Sequence, residues 1–341
     1  MAQDTAGEVL FFIPDIGGFT KFVAETEVSH SRHIIKELLE GLVDANALGM
    51  QVSEFEGDAV LFYRSGPPPP LKDLVEQSRK MFVGFHSHLK KFEFHRICQC
   101  GACSGAQRLA LKIIAHAGSA ATMQVKDHLK FIGKDVIVAH RLLKNSVPER
   151  EYLLVTNESL DRLPGKGAEA AQFASGADAY DELGTLQYRY TSLARYMDDV
   201  KVEPPPPFAL PSPVKVMEVS RRIDAPVERV FQLLIDLPGR MKWIDGIKTV
   251  EFRDDLPNQI GKQHRCVRDG NDPEVVTSGV RITGATMEFW KTDVKKMGAC
   301  RYLLRRAAAD ATDASLEFFV RGNILVRLLF KALLERKLKQ A

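Results

Sequence analysis

The segment Lys201–Val214, KVEPPPPFALPSPV, restricts the possible folds of this chain more than any other stretch. Its consecutive prolines lack amide donors and have φ fixed near about −65°, so the stretch fits neither a helix interior nor a central strand and acts as a semi-rigid extended spacer. A chain broken there folds as two domains, and 341 residues are enough for each to bury its own core. The expected division is 7–200, a proline-rich linker at 201–213, and 214–341. With 45% hydrophobic and 27% charged residues the chain reads as soluble and globular, and a formal net charge of +3 implies no bulk field for nucleic acid. No basic region followed by a long apolar run opens the sequence, and no apolar segment reaches the roughly 18 residues of a membrane span, so a cytoplasmic protein is expected.

Before the linker, helix and strand patterns alternate. Val9–Phe22, VLFFIPDIGGFTKF, is written as a buried strand that ends in an Asp and two glycines before a helical pattern starts. The amides of Gly17, Gly18, Phe19 and Thr20 at such a helix start suit an anion held by a metal on Asp15; the plainer reading is an ordinary strand-to-helix turn. Residues 31–48 carry Ile34, Ile35, Leu38, Leu39, Leu42 and Val43 at helical spacing, and 50–52 and 59–63 read as a hairpin around the turn 54–58. A second long helix starts at Leu71, and strands follow at 109–116, 130–132, 152–156 and 186–191, with a helix at 134–143. The order predicts an α+β fold with a ferredoxin-like β-α-β-β-α-β core and helices on one sheet face.

Asp15 closes the first strand and Asp58 ends the hairpin turn. If those strands are neighbours, both carboxylates reach one edge, and two hard oxygen donors suit Mg²⁺ or Mn²⁺ holding a triphosphate. Here the chain resembles the class III nucleotidyl cyclases, the adenylate and guanylate cyclase catalytic fold. The matching residues are Asp15-Ile16-Gly17-Gly18-Phe19-Thr20, Gly57-Asp58, His116-Ala117-Gly118 at an expected strand end, and Gly133-Lys134-Asp135-Val136 with Ala139-His140-Arg141. The resemblance implies that Asp15 and Asp58 are the metal carboxylates of a two-ion site, with Ile16 lending its carbonyl. It also implies that Arg141 steadies the phosphates across a head-to-tail homodimer. The purine-reading positions fall at Glu54 and near Lys130: a carboxylate accepts from guanine N1–H and N2–H, a lysine donates to O6, and GTP is therefore favoured over ATP. The alternative for this pair is a surface Glu–Lys contact. Ile137 stands where the family has the Asn that orients the ribose, and it carries no hydrogen-bonding group. The implied protein is a nucleotide- and metal-binding sensor; the alternative is an active guanylate-type cyclase.

Cys98, Cys100 and Cys103, with His95 just before, offer ligands for a tetrahedral Zn²⁺, although C-x-C leaves little reach for both thiolates on one ion. The other reading is a compact loop of small residues. After the linker, residues 216–223 read as a strand, Asp224-Ala225-Pro226 as a helix start capped by Asp224, and six more strands follow between 248 and 320. A last helix spans 323–338, with a basic face that either is solvated or lies on an anionic membrane. Ile223-Asp224-Ala225-Pro226-Val227-Glu228-Arg229-Val230-Phe231, Pro238, Trp243 and that last helix resemble the START-like, polyketide-cyclase and Bet v-like helix-grip superfamily (SRPBCC). The resemblance implies a cavity for a lipid or other hydrophobic small molecule.

Overall fold

Val9 to Ile16 are buried on both sides, and this run forms β1 (Gly7–Gly17), a central strand of an eight-stranded sheet. The structure is a computed structural model and describes residues 6–26, 28–97, 101–126, 128–165, 170–203, 209–252, 260–268 and 272–322. By contacts the chain divides into two units, Met1–Lys91 with Ser104–Glu203 and Phe92–Cys103 with Pro204–Ala341. No helix among the described residues is long and apolar enough to cross a membrane.

In the first unit β1 is followed by α1 (Phe19–Ala24), α2 (Val28–Asp44), β2 (Gln51–Glu56), β3 (Ala59–Ser65) and α3 (Leu71–His95). The division falls within α3 after Lys91 and within α4 (Gly101–Gly105) before Ser104, and the first unit continues with β4 (Ala110–Val125), β5 (His128–Ile132) and α5 (Lys134–Arg141). The unit ends with β6 (Tyr152–Thr156), α6 (Asn157–Arg162), β7 (Ala174–Tyr180) and β8 (Gly184–Ser192). Strand order is β2-β3-β1-β4-β6-β8-β7, with β5 paired to β4 off that path. The first four strands thus have the antiparallel order of a split β-α-β core, as the element order predicts.

Several expectations are corrected. Helices were expected on one sheet face only. Val9, Phe11 and Ile13 pack with Val138 and Ala139 of α5 and with Leu142 just after it, while Leu10, Phe12, Val60 and Phe62 are equally buried and α2 contacts β3. A strand apolar at every position needs cover on both sides. The turn expected at 54–58 shrinks to Gly57-Asp58: the register moves from Val52↔Phe62 to Glu54↔Leu61, and Gly57 supplies φ 64°. β4 runs nine residues past its expected end at His116 (125 − 116 = 9), so His116-Ala117-Gly118 lies within a strand. Its second half pairs with β5, which hides the strand in small and polar residues. β7, rich in Ala and Gly at the sheet edge, had no apolar alternation to reveal it.

In the second unit β9 (Pro213–Ile223) precedes α7 (Val227–Ile235) and a 3₁₀ turn, Pro238–Lys242. Then follow β10 (Thr249–Phe252), β11 (Gln263–Val267), β12 (Glu274–Ile282), β13 (Thr286–Asp293), β14 (Gly298–Ala308) and β15 (Ala311–Arg321). They make a seven-stranded antiparallel sheet ordered β10-β11-β12-β13-β14-β15-β9, against which α7 packs at β14 and β15. The helix is capped at Pro226 without a side-chain hydrogen bond, so Asp224 is not its cap. The last helix expected at 323–338 lies outside the described residues.

α5 is fixed to the sheet by a polar lock. The carboxylate of Asp135 accepts from the Ser119 amide at 2.6 Å and lies 3.3 Å from His116 Nε2, while His116 Nδ1 is 2.8 Å from Thr156 Oγ1. A Cβ at Gly118 would stand 2.1 Å from Asp135 Oδ2, so only glycine leaves room for the lock. The close approach of His116 and the Ser119 amide holds the Asp135 carboxyl below the usual carboxylate range in spite of its burial. Gly118→Ala is expected to cost about 1–3 kcal/mol in chemical denaturation, as overpacking does; an unchanged midpoint would show that the lock yields freely.

Candidate functional site

The sequence brings two acids to the end of β1 through hairpin geometry. Asp15 pairs with Ala59 on one side and Lys112 on the other, and the Ile16 amide donates to the Asp58 carbonyl at 3.1 Å. The turn that carries Asp58 is therefore tied to the strand that carries Asp15, and the two carboxyls are close enough for the Asp15 charge to act on Asp58. Burial first, and the Asp15 charge second, push the Asp58 carboxyl up to about 6, while Lys112 opposes the rise. Lys112 Nζ lies 2.9 Å from Asp15 Oδ2 and donates to the Leu143 carbonyl at 2.7 Å. The ammonium thus sits where a cation is called for. Lys112 was missed by sequence reasoning; a single cation within the apolar run Leu109–Ala115 was the available signal.

Gly18, at φ 85°, is the left-handed start of α1, and Gly17 lies at the end of β1. Phe19 and Thr20 occupy the first turn of this helix, and Ile16 is fully buried. The remaining expected residues gather elsewhere on the same unit. Glu54, Lys130, Ile137 and Arg141 line one cavity of about 580 Å³ with Ser53, Phe131 and Lys144, whereas Asp15 and Asp58 are not among its lining residues. β5 reaches this cavity because Phe131 packs edge-on against Phe11, at 5.4 Å, and Tyr63, at 4.6 Å. Lys130 Nζ lies 3.3 Å from Glu54 Oε2, so the two expected purine readers are paired with each other across the cavity rim. Ile137 is 47% exposed there, an apolar side chain at a polar place. His140, which was not assigned a role, meets Glu56 at 3.1 Å, and the ligand atoms of Glu54, Glu56 and His140 lie within 4.8 Å of one another. Cys98 and Cys100 and the side chain of His95 lie outside the described residues, and Cys103 is buried in α4.

A family model described as "Protein of unknown function (DUF2652)" matches residues 35–152. A Mycobacterium tuberculosis protein, "Uncharacterized protein Rv2561/Rv2562", is 37% identical over 123 residues, 36% of this chain and 56% of its own length. The chain therefore spans about half of the curated relative it matches. Similar solved structures are cyclase domains. The guanylyl cyclase Cya2 is 13% identical, covering 55% of this chain and 93% of its own, with TM-score 0.42. The adenylyl cyclase CyaB from P. aeruginosa is 14% identical, with coverages of 55% and 95% and TM-score 0.38. The guanylate cyclase domain of RhGC from Catenaria anguillulae, in complex with GTP, is 16% identical, with coverages of 55% and 97% and TM-score 0.36. At such TM-scores these likenesses add nothing to the side-chain geometry.

The raised Asp58 value fixes a sign. Since the folded-state value exceeds the ordinary 3.8, protonated Asp58 favours folding; that contribution is present below 3.8 and lost as pH rises through about 6. In metal-free buffer Asp58→Asn is expected to raise Tm above pH 6, with the gain fading toward pH 4. A gain independent of pH would place its origin elsewhere.

Proposed function

We propose that the first unit binds a purine nucleoside triphosphate, GTP in preference to ATP, with Mg²⁺ or Mn²⁺, and that it works as a nucleotide sensor more than as an enzyme. The observation that supports this most is the Asp15–Asp58 pair. Two neighbouring carboxylates that resist joint ionisation, one of them leaning on a lysine, are chemically a cation site, and hard divalent ions match their oxygen donors. When bound, the metal would neutralise triphosphate oxygens at the glycine turn. Asp15 and Asp58 would hold it, and Lys112 would release Asp15 or remain as a second cation beside the phosphates.

The cavity supplies the other half of the reading. Glu54 and Lys130 offer an acceptor and a donor for guanine, and Arg141 faces the same space. Because these residues and the aspartates occupy different places on one unit, a complete site requires the head-to-tail homodimer that the cyclase resemblance implies. Ile137 argues against turnover: an exposed isoleucine cannot hold the ribose whose hydroxyl would attack. Retention of Arg141 beside Glu54 and Lys130 favours the second reading, a slow guanylate-type cyclase. For the second unit we infer a hydrophobic ligand on the α7 face of its sheet, supported by the START-like motifs and by the buried rings of Phe231 and Phe289. The chain is then a sensor with two ligands.

Thermal-shift titration tests the nucleotide reading. GTP with Mn²⁺ or Mg²⁺ is expected to raise Tm, ATP to raise it less, and Asp58→Ala to abolish the shift; no shift with any nucleotide refutes it. Glu54→Lys is expected to reverse the GTP preference, since a lysine offers guanine N1–H only another donor. Cyclic product formed with Mn²⁺ and lost in Asp58→Ala would establish the enzyme instead.

A further inference from the structure

Burying a cation without a counter-charge is among the costliest arrangements open to a protein. The second unit does so twice in one place. Arg240, in the 3₁₀ turn after α7, His264 on β11 and Lys291 on β13 are 3%, 1% and 4% exposed. Arg240 Nη1 donates to His264 Nε2 at 2.9 Å and Nη2 to the Leu234 carbonyl at 3.0 Å, while Lys291 Nζ lies 3.4 Å from the same His264 Nε2. A nitrogen that accepts from a guanidinium carries no proton, so His264 is neutral, with its hydrogen on Nδ1. Burial, then the charges of Arg240 and Lys262, push its pKa down to about 3, in agreement with that tautomer.

The cluster is rich in donors and short of acceptors. His264 Nδ1 and Arg240 Nε are buried with no hydrogen-bond partner. Acids on the same sheet have other partners: Glu288 and Glu317 pair with Arg301, Glu251 and Glu274 with Arg265. Among the described residues neither Arg240 nor Lys291 forms an ion pair with a carboxylate. The Lys291 ammonium lies over the rings of Phe289 and Tyr302, at 5.4 and 5.6 Å, which offsets part of one charge. Those rings are stacked at 4.4 Å, and Phe231 meets Phe289 edge-on at 6.0 Å. Two cations bridged by a neutral imidazole therefore adjoin an aromatic wall.

We propose that Arg240 and Lys291, bridged by His264, anchor the oxyanion headgroup, carboxylate or phosphate, of an apolar small molecule whose body lies against Phe231, Phe289 and Tyr302. This rests on the hydrophobic-ligand reading of the second unit and adds the charge of the ligand. The anion supplies the missing acceptors, and the guanidinium fork suits a planar carboxylate in two-point contact.

Titration calorimetry and thermal shift on the full chain, with dodecanoate, dodecanol and inorganic phosphate as separate probes, test it. Dodecanoate is expected to bind saturably and raise Tm, and dodecanol and inorganic phosphate each to bind at least tenfold more weakly. Lys291→Met is expected to raise the Tm of the ligand-free protein, because an uncompensated buried charge is removed, and to weaken dodecanoate binding at least tenfold. Equal binding of dodecanoate and dodecanol overturns the anionic anchor and leaves the hydrophobic pocket standing. Phosphate binding without dodecanoate binding overturns the apolar body. Binding of none of the three overturns both the anchor and the reading on which it rests. A Lys291→Met protein that folds, is less stable and binds dodecanoate unchanged assigns Lys291 to packing and also overturns the anchor.

Discussion

Two carboxylates cannot share the end of a buried sheet unless something neutralises them, and the first unit is arranged around that requirement. β1 is central because it is apolar at almost every position, and centrality gives it a partner on each side: the hairpin bearing Asp58 and the strand bearing Lys112. The tie from the Ile16 amide to the Asp58 carbonyl keeps the acids from separating, so burial first and the Asp15 charge second raise the Asp58 pKa, and Lys112 lies against Asp15. The glycine turn and α1 follow directly after Ile16.

A second constraint places the cavity. Asp135 is held by Ser119 and His116 against a glycine that leaves no room for a methyl group, and this fixes the N-terminus of α5 on β4. From there helical geometry sets which residues face the sheet, Val138 and Ala139, and which face the cavity, Ile137 and Arg141. His116-Ala117-Gly118 and Asp135 thus serve the site through position. The second unit states the charge problem in the opposite sense, with buried cations where the first has crowded anions.

Much of the first unit was legible in the sequence because its signals are local. The apolar run of β1, the three-four spacing of α2 and α3 and the glycines of the turns each specify their own element, and Asp15, Asp58, Glu54, Lys130 and Arg141 stood out by motif. What escaped had no local signature. β7 is small residues at an edge, the far half of β4 mixes small and polar residues without strand alternation, and cover on both sheet faces depends on where distant helices dock.

By itself the sequence determined most elements of the first unit and singled out Asp15 and Asp58, since these follow from residues near one another in the chain. Only the tertiary structure decided that Lys112 meets Asp15, that Glu54 meets Lys130, and that Asp15 and Asp58 stand apart from the cavity lined by Glu54 and Arg141. It alone gathered Arg240, His264 and Lys291 from a turn and two strands. The reason is physical: charge interactions depend on distance in space and on exclusion from water, and neither quantity exists until the sheets have formed.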